Sequence, residues 1–181
     1  IDGIKIHFIK VKGSSANSKP LLLMHGWPGS IIEFLHIIEK LAHPEKFGGN
    51  ENDSFDVIVP SLPGFGFSGS PSKPMGPRKM AEILNKLMIE NLGYKNYIAQ
   101  GGDWGATIAN WLGYDHSNSC KAIHINCLTM RHPEGPQSDE ERNWQKKFNE
   151  DQIMQEGYRT QQATKPQSLG YGMMDSPVGI A

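Results

Sequence analysis

Five consecutive residues, Gly101-Gly102-Asp103-Trp104-Gly105, constrain the fold more than any other stretch of the chain. They follow residues 97–100, a short apolar run typical of a buried strand, and they lead into residues 105–112, a predicted helix. Large side chains two positions before or after Asp103 would collide with the neighbouring strand and helix. The sequence therefore predicts a sharp strand-to-helix turn with an acidic side chain at its tip.

Strands and helices are predicted to alternate through the first 130 residues. Strands are expected at residues 4–12, 20–24, 56–59, 97–100 and 122–128, and helices at 31–41, 77–92 and 105–112. Ser30 and Glu33 form a capping box at the first helix, and Gly93 is the expected cap after the second. Buried strands that alternate with helices predict an α/β fold, with a mostly parallel sheet and helices on both faces.

The character of the chain changes after residue 130. Ser138 and Glu141 form a second capping box, but the apolar residues that follow are thinly spread among polar ones. We therefore predict two parts, an α/β core over residues 1–130 and the start of a helical lid over residues 131–181. Only four residues follow Ser176-Pro177, which has the pattern of a helix start, so we expect this lid to be truncated.

Bulk properties exclude several classes of function. The 181 residues carry a net charge of −1, which gives no reason to expect nucleic acid or an anionic membrane as a partner, and no apolar run is long enough to span a bilayer. If Cys120 and Cys127 lie on one strand, they are roughly 23 Å apart at about 3.3 Å per residue, too far for a disulfide, which favours a reducing compartment.

Neither a cofactor nor a metal is predicted. Residues 64–69 satisfy the dinucleotide pattern G-x-G-x-x-G, but the prolyl segment 70–74 follows where such a site needs a helix. His124 has no second potential ligand at metal spacing and is interpreted as a structural histidine. The charged residues from Glu140 to Asp151 are interpreted as a solvated helix face.

An acid at the tip of such a turn has a chemical meaning. The context is that of the nucleophile elbow G-x-S-x-G, with Asp103 in the place of the serine. A carboxylate is ionised at neutral pH, attacks carbon without a base, and leaves an ester that water hydrolyses. The alternative, which the sequence leaves open, is an aspartate that only caps the following helix.

A second motif, His25-Gly26-Trp27-Pro28, follows the first buried strand. In this architecture the loop after that strand supplies one backbone N–H of an oxyanion hole, and the residue after the nucleophile supplies the other. The backbone amides of Trp27 and Trp104 are therefore the predicted donors. His25 is interpreted as a structural loop histidine, and a cis peptide bond before Pro28 is possible.

Three ordered stretches resemble the microsomal and juvenile hormone type of epoxide hydrolase, within the α/β-hydrolase superfamily. They are residues 25–34, residues 60–68 and residues 101–105. The resemblance implies that Asp103 opens a small hydrophobic epoxide to a vicinal diol through an alkyl ester. It also implies a microsomal location with a membrane anchor before Ile1, the alternative being the cytoplasm. The oligomeric state stays open.

The resemblance also implies roles outside the core. Tyr158 is similar to the first of two lid tyrosines that hydrogen-bond the epoxide oxygen in this family. The second tyrosine, the base histidine and its acid partner match no position here, and we expect them, with the rest of the core, beyond Ala181. The 181-residue chain alone is therefore expected to fold poorly and not to turn over epoxides.

Two other functions are compatible with the motifs. A haloalkane dehalogenase shares the fold and the Asp nucleophile, and often has a tryptophan at the position of Trp104. A non-catalytic hydrolase-fold binding protein is the second alternative. Gly102 and the Trp27-Pro28-Gly29 stretch favour the epoxide hydrolase.

Overall fold

The computed structural model describes residues 1–128 and 132–179, apart from the side chain of Met154, and five strands within them form one sheet. The strands are β1 (Phe8–Val11), β2 (Lys19–Met24), β3 (Phe55–Pro60), β4 (Tyr97–Gly101) and β5 (Cys120–Ile125). Their order across the sheet is β1-β3-β2-β4-β5, and every pairing is parallel except that of β1 with β3. The predicted α/β fold with a mostly parallel sheet is confirmed.

The first strand is shorter than its apolar alternation predicts. A strand is expected over residues 4–12, whereas β1 begins at Phe8, opposite the last residue of β3. Before that point the carbonyl oxygens of Lys5 and His7 accept hydrogen bonds from residues 61–69, the glycine loop that follows β3. The segment before β1 is thus held by a loop rather than by a strand.

Three helices pack against this sheet. They are α1 (Leu35–Ala42), α2 (Pro77–Lys86) and α3 (Trp104–Asp115). A single 3₁₀ turn, Ile31–Phe34, precedes α1, and the predicted capping box of Ser30 and Glu33 is present at its start. Helix α2 continues into a π turn over Leu87–Asn91, and Gly93 follows in the left-handed conformation expected of a cap.

The core lies on both faces of the sheet. Alternate residues of a strand point to opposite faces, so neighbours on β2 belong to different clusters. On one face Leu22 and Met24 pack with the buried sides of α2 and α3, and on the other Leu21 and Leu23 pack with α1. Helices on both faces, as predicted, leave the carboxyl ends of β2 and β4 free to carry loops.

The chain divides into two units, Ile1–Thr129 and Met130–Ala181. The second unit contains α4 (Asp139–Gln155), α5 (Gly157–Thr164), α6 (Pro166–Asp175) and a 3₁₀ turn over Pro177–Gly179. The predicted capping box of Ser138 and Glu141 starts α4. None of the side chains described in residues 132–179 is buried. No helix of the described chain combines the length and apolar character needed to cross a membrane.

Candidate active site

Asp103 lies at the turn that joins β4 to α3. Its backbone has φ +48° and ψ −125°, a left-handed conformation that is strained for a residue with a Cβ. The turn is therefore as sharp as the sequence predicts, and the Asp103 side chain is exposed at its tip.

The glycines around Asp103 are required by close backbone contacts. A Cβ on Gly101 would overlap the carbonyl group of Gly105, in the first turn of α3. A Cβ on Gly105 would overlap the carbonyl oxygen of Met24, at the end of β2. Helix α3 thus begins so close to the ends of β2 and β4 that only hydrogen atoms fit between the backbones.

The Asp103 carboxylate does not cap the helix. Asp103 occupies the cap position of α3, but its side chain makes no hydrogen bond to the amides of the first turn. Oδ1 instead accepts a hydrogen bond of 2.8 Å from the backbone N–H of Trp27. Within residues 1–128 and 132–179 no donor is bound to Oδ2. This arrangement disfavours the capping alternative and leaves one carboxylate oxygen free for chemistry.

The Trp27 amide reaches Asp103 because the loop after β2 passes very close to the elbow. A Cβ on Gly26 would lie 2.5 Å from the Cβ of Asp103, so glycine is required there. The Trp27–Pro28 peptide bond is cis. Trp104 is the first residue of α3, so its N–H has no acceptor within the helix and lies at the positive end of the helix dipole.

His25 has a structural role. Its ring is 1% exposed, Nε2 accepts a hydrogen bond of 3.1 Å from Leu62 N, and Nδ1 lies 2.9 Å from the carbonyl oxygen of Gly26. Because an amide can only donate, Nε2 is unprotonated and Nδ1 carries the proton. The Phe65 ring packs edge-on against the imidazole. Both nitrogens are engaged, so His25 is not available as a base for Asp103.

The family model for the alpha/beta hydrolase fold matches residues 19–169. The chain belongs to the α/β-hydrolase fold family. A model for the epoxide hydrolase N terminus matches residues 1–34. The resemblance to epoxide hydrolases that the three motifs indicate is therefore confirmed.

The named relatives of this α/β-hydrolase chain are also epoxide hydrolases. It is 36% identical to epoxide hydrolase 1 of Oryctolagus cuniculus, over all of this chain and 45% of the relative. It is 35% identical to juvenile hormone epoxide hydrolase 2 of Ctenocephalides felis, over all of this chain and 42% of the relative. The solved structure of Aspergillus niger epoxide hydrolase matches with a TM-score of 0.73 and 33% identity, over 99% of this chain and 47% of that one. The chain thus spans less than half the length of these relatives.

The fourth predicted site residue belongs to the second unit of the hydrolase. Tyr158 lies in the first turn of α5 and is 67% exposed. Its hydroxyl group makes no hydrogen bond to the residues described in this chain. Asp103, Trp27 and Trp104 meet in the first unit, whereas the part played by Tyr158 stays a prediction.

Sequence reasoning missed Asn126, which follows β5. A Cβ on Gly102 would overlap the Asn126 amide group, so this side chain packs against the elbow from the next strand. A polar residue directly after a strand, at the carboxyl edge of a parallel sheet, is the signal that points to it. In the described part of the chain no cluster of three or more His, Cys, Asp or Glu side chains is suited to hold a metal ion.

Proposed function

We propose that the full-length protein hydrolyses an epoxide to a vicinal diol through an ester on Asp103. The observation that carries this proposal is the 2.8 Å hydrogen bond from Trp27 N to Asp103 Oδ1, with no donor to Oδ2 among the described residues, on a turn where the Asp103 side chain does not cap the helix. A side chain with only a structural role has no reason to occupy a strained, exposed position beside a backbone donor. The epoxide hydrolase relatives support the same reaction.

Ring opening is the first step. Oδ2 of Asp103 attacks an epoxide carbon, the carbon–oxygen bond breaks, and the ring oxygen takes a proton from a nearby donor. The product is a hydroxyalkyl ester whose carbonyl oxygen is Oδ1. The Trp27 N–H that orients the carboxylate therefore already donates to the carbonyl oxygen of the ester.

Hydrolysis of the ester is the second step. Water, deprotonated by a base, adds to the ester carbonyl carbon, and negative charge develops on Oδ1. The Trp27 and Trp104 amides stabilise this charge as an oxyanion hole. Collapse then breaks the ester C–O bond and regenerates the carboxylate, and the departing alkoxide takes the proton held by the base and leaves as the diol. His25 does not serve as this base, because both of its ring nitrogens are engaged.

We assign the proton donor of the first step to Tyr158, with the second unit acting as the beginning of a lid. Its hydroxyl group is exposed and free of competing partners among the described residues. Tyr158→Phe keeps the ring and should slow ring opening by roughly tenfold to a thousandfold. Tyr171→Phe, a change in another exposed tyrosine of the same unit, is the control. Equal ring-opening rates in both variants would remove Tyr158 from the mechanism.

The proposed route fixes the origin of the new diol oxygen. One turnover of styrene oxide by excess full-length enzyme in ¹⁸O-labelled water should give an unlabelled diol, because that oxygen comes from Asp103. The label should appear instead in the peptide that contains Asp103. A diol labelled on the first turnover would show direct attack by water and contradict the ester.

Two finer features also belong to this proposal. The substrate is a small hydrophobic epoxide, which the half-exposed indole of Trp104 beside Asp103 supports. The location is microsomal, as the family resemblance implies. Fractionation of the native cells tests the second feature, and recovery of all epoxide hydrolase protein in the cytosolic fraction would contradict it.

A further inference from the structure

A single residue of the N-terminal segment makes three hydrogen bonds to the glycine loop. The backbone N–H of His7 donates to Ser68 Oγ at 3.0 Å, and its carbonyl oxygen accepts from Ser61 N at 2.9 Å. The Nδ1 atom of His7 also lies 3.0 Å from Ser61 Oγ. His7 is therefore hydrogen-bonded to residues at both ends of the loop.

The glycine loop is also closed by hydrogen bonds between its own residues. Ser68 Oγ donates to the Ser61 carbonyl oxygen at 2.6 Å, and Gly64 N donates to the Gly69 carbonyl oxygen at 3.0 Å. The Ser68 hydroxyl group therefore accepts from His7 and donates to Ser61 at once. Loss of the His7 contacts would loosen the loop at residue 61.

The next residue of the loop leads to the elbow. Leu62 N donates to His25 Nε2, and His25 Nδ1 is bonded to the Gly26 carbonyl oxygen. The peptide unit that contains this carbonyl also contains the N–H of Trp27, which donates to Asp103 Oδ1. Leu62 and His25 are both buried, so water does not replace these bonds easily.

We propose that His7 is a positioning residue. Through the glycine loop and His25, it keeps the Trp27 N–H oriented toward the oxyanion that forms on Asp103 Oδ1. This inference rests on the proposed function. Charge on Oδ1 falls when the carboxylate becomes an ester and rises when water adds to that ester. A Trp27 N–H that is no longer oriented toward Oδ1 should therefore slow ester hydrolysis much more than ring opening.

His7→Leu removes the ring hydrogen bond, and His7→Asn restores a polar group near the position of Nδ1. We expect His7→Leu in the full-length protein to hydrolyse the Asp103 ester about tenfold more slowly, with ring opening within about twofold of wild type. His7→Asn should recover most of the loss. Lys5→Ala is the control, because that side chain is exposed and only its backbone contacts the loop.

A second readout does not depend on activity. Hydrogen exchange followed by mass spectrometry should show faster exchange at Trp27 in His7→Leu than in wild type or Lys5→Ala. If His7→Leu does not fold, Ser61→Ala removes only the hydroxyl partner and should give the same two effects.

Unchanged Trp27 exchange, or equal slowing of both chemical steps, would overturn the positioning role. A wild-type protein that forms no ester on Asp103 would instead refute the proposed function. The exchange comparison still decides whether His7 holds the Trp27 amide in place.

Discussion

The two units of the chain hold their candidate site residues in different ways. In Ile1–Thr129 the elbow is closely enclosed: a carbon added to Gly101 or Gly105 would overlap main chain, and one added to Gly26 would overlap the Asp103 side chain. In the described part of Met130–Ala181 no side chain is buried, and Tyr158 is exposed. The position of Asp103 is therefore a consequence of packing, whereas little packing within the second unit holds the Tyr158 ring. Substitutions should be costly in the first unit and mild in the second.

The largest difference is expected between two glycine substitutions. Gly101→Ala should destabilise the protein by about 3 kcal/mol or more, because its Cβ would overlap the backbone of Gly105 and neither β4 nor α3 can retreat. Gly170→Ala, inside α6 with no atom within 4 Å of the new Cβ, should stabilise that helix by up to about 1 kcal/mol. Chemical denaturation of both variants measures the difference. Equal stability would mean that the elbow is not packed as described.

A buried carboxylate gives the next largest effect. Asp56 is 2% exposed and accepts hydrogen bonds from Lys12 Nζ at 2.9 Å, Gly13 N at 2.9 Å and Tyr94 Oη at 3.1 Å. Burial by itself raises the pKa of Asp56, but these three bonds outweigh it, and the net pKa is lowered from its ordinary value of 3.8. Burial of Tyr94 itself, with the nearby Asp56 charge, raises the pKa of Tyr94 to about 12.

The sign of the pH dependence follows from that direction. A carboxylate whose pKa is lower in the folded than in the unfolded protein stabilises the fold above the unfolded value, and this stability is lost as the pH falls through the folded pKa. Asp56→Asn should therefore cost about 2 kcal/mol at pH 7 and reduce the loss of stability below about pH 4. Asp139→Asn, at a 92% exposed side chain of the second unit, should cost less than about 0.5 kcal/mol. Equal costs of Asp56→Asn and Asp139→Asn would contradict the expected difference between the two units.

The smallest effect is expected for an aromatic pair on α4. Trp144 stacks on Phe148 with ring centroids 5.0 Å apart, but it is largely exposed. Trp144→Ala should therefore cost no more than about 1 kcal/mol. In the first unit Trp111 is partly buried against the core and lies under the Arg78 guanidinium, 4.5 Å from its ring centroid, so Trp111→Ala should cost about 1.5 kcal/mol. Thermal unfolding of the two variants checks the order, and a reversed order would show that the second unit is more tightly packed than described.

The sequence predicts the elbow and the buried strands well because their signals are local. Apolar runs mark β2, β3 and β4, and the glycines around Asp103 mark a turn whose steric demands are set by its own backbone. The start of β1 at Phe8 is not predictable in this way, because the alternation continues into a segment whose partner is the glycine loop, more than fifty residues further along. The hydrogen bond between His25 and Leu62 is unpredictable for the same reason, because its two partners lie far apart in the sequence.

The limits of local pattern are also visible in the helices. Ser30 and Glu33 correctly mark a helix start, but the first turn is 3₁₀ rather than α. Strand β5 ends at Ile125 although an apolar strand is predicted to residue 128. In these cases the tertiary neighbours, and not the side-chain pattern, decide where regular structure begins and ends.

Trapping an ester on Asp103 is the most direct test of its role as the nucleophile. Brief incubation of the full-length protein with styrene oxide, quenching in acid and peptide mass spectrometry should find one molecule added to the peptide that contains Asp103, and no addition in Asp103→Asn. Asp139→Asn, at an exposed carboxylate of the second unit, should be labelled as wild type. Label that persists in Asp103→Asn, or an Asp103 that stays unmodified while diol forms, would contradict the account.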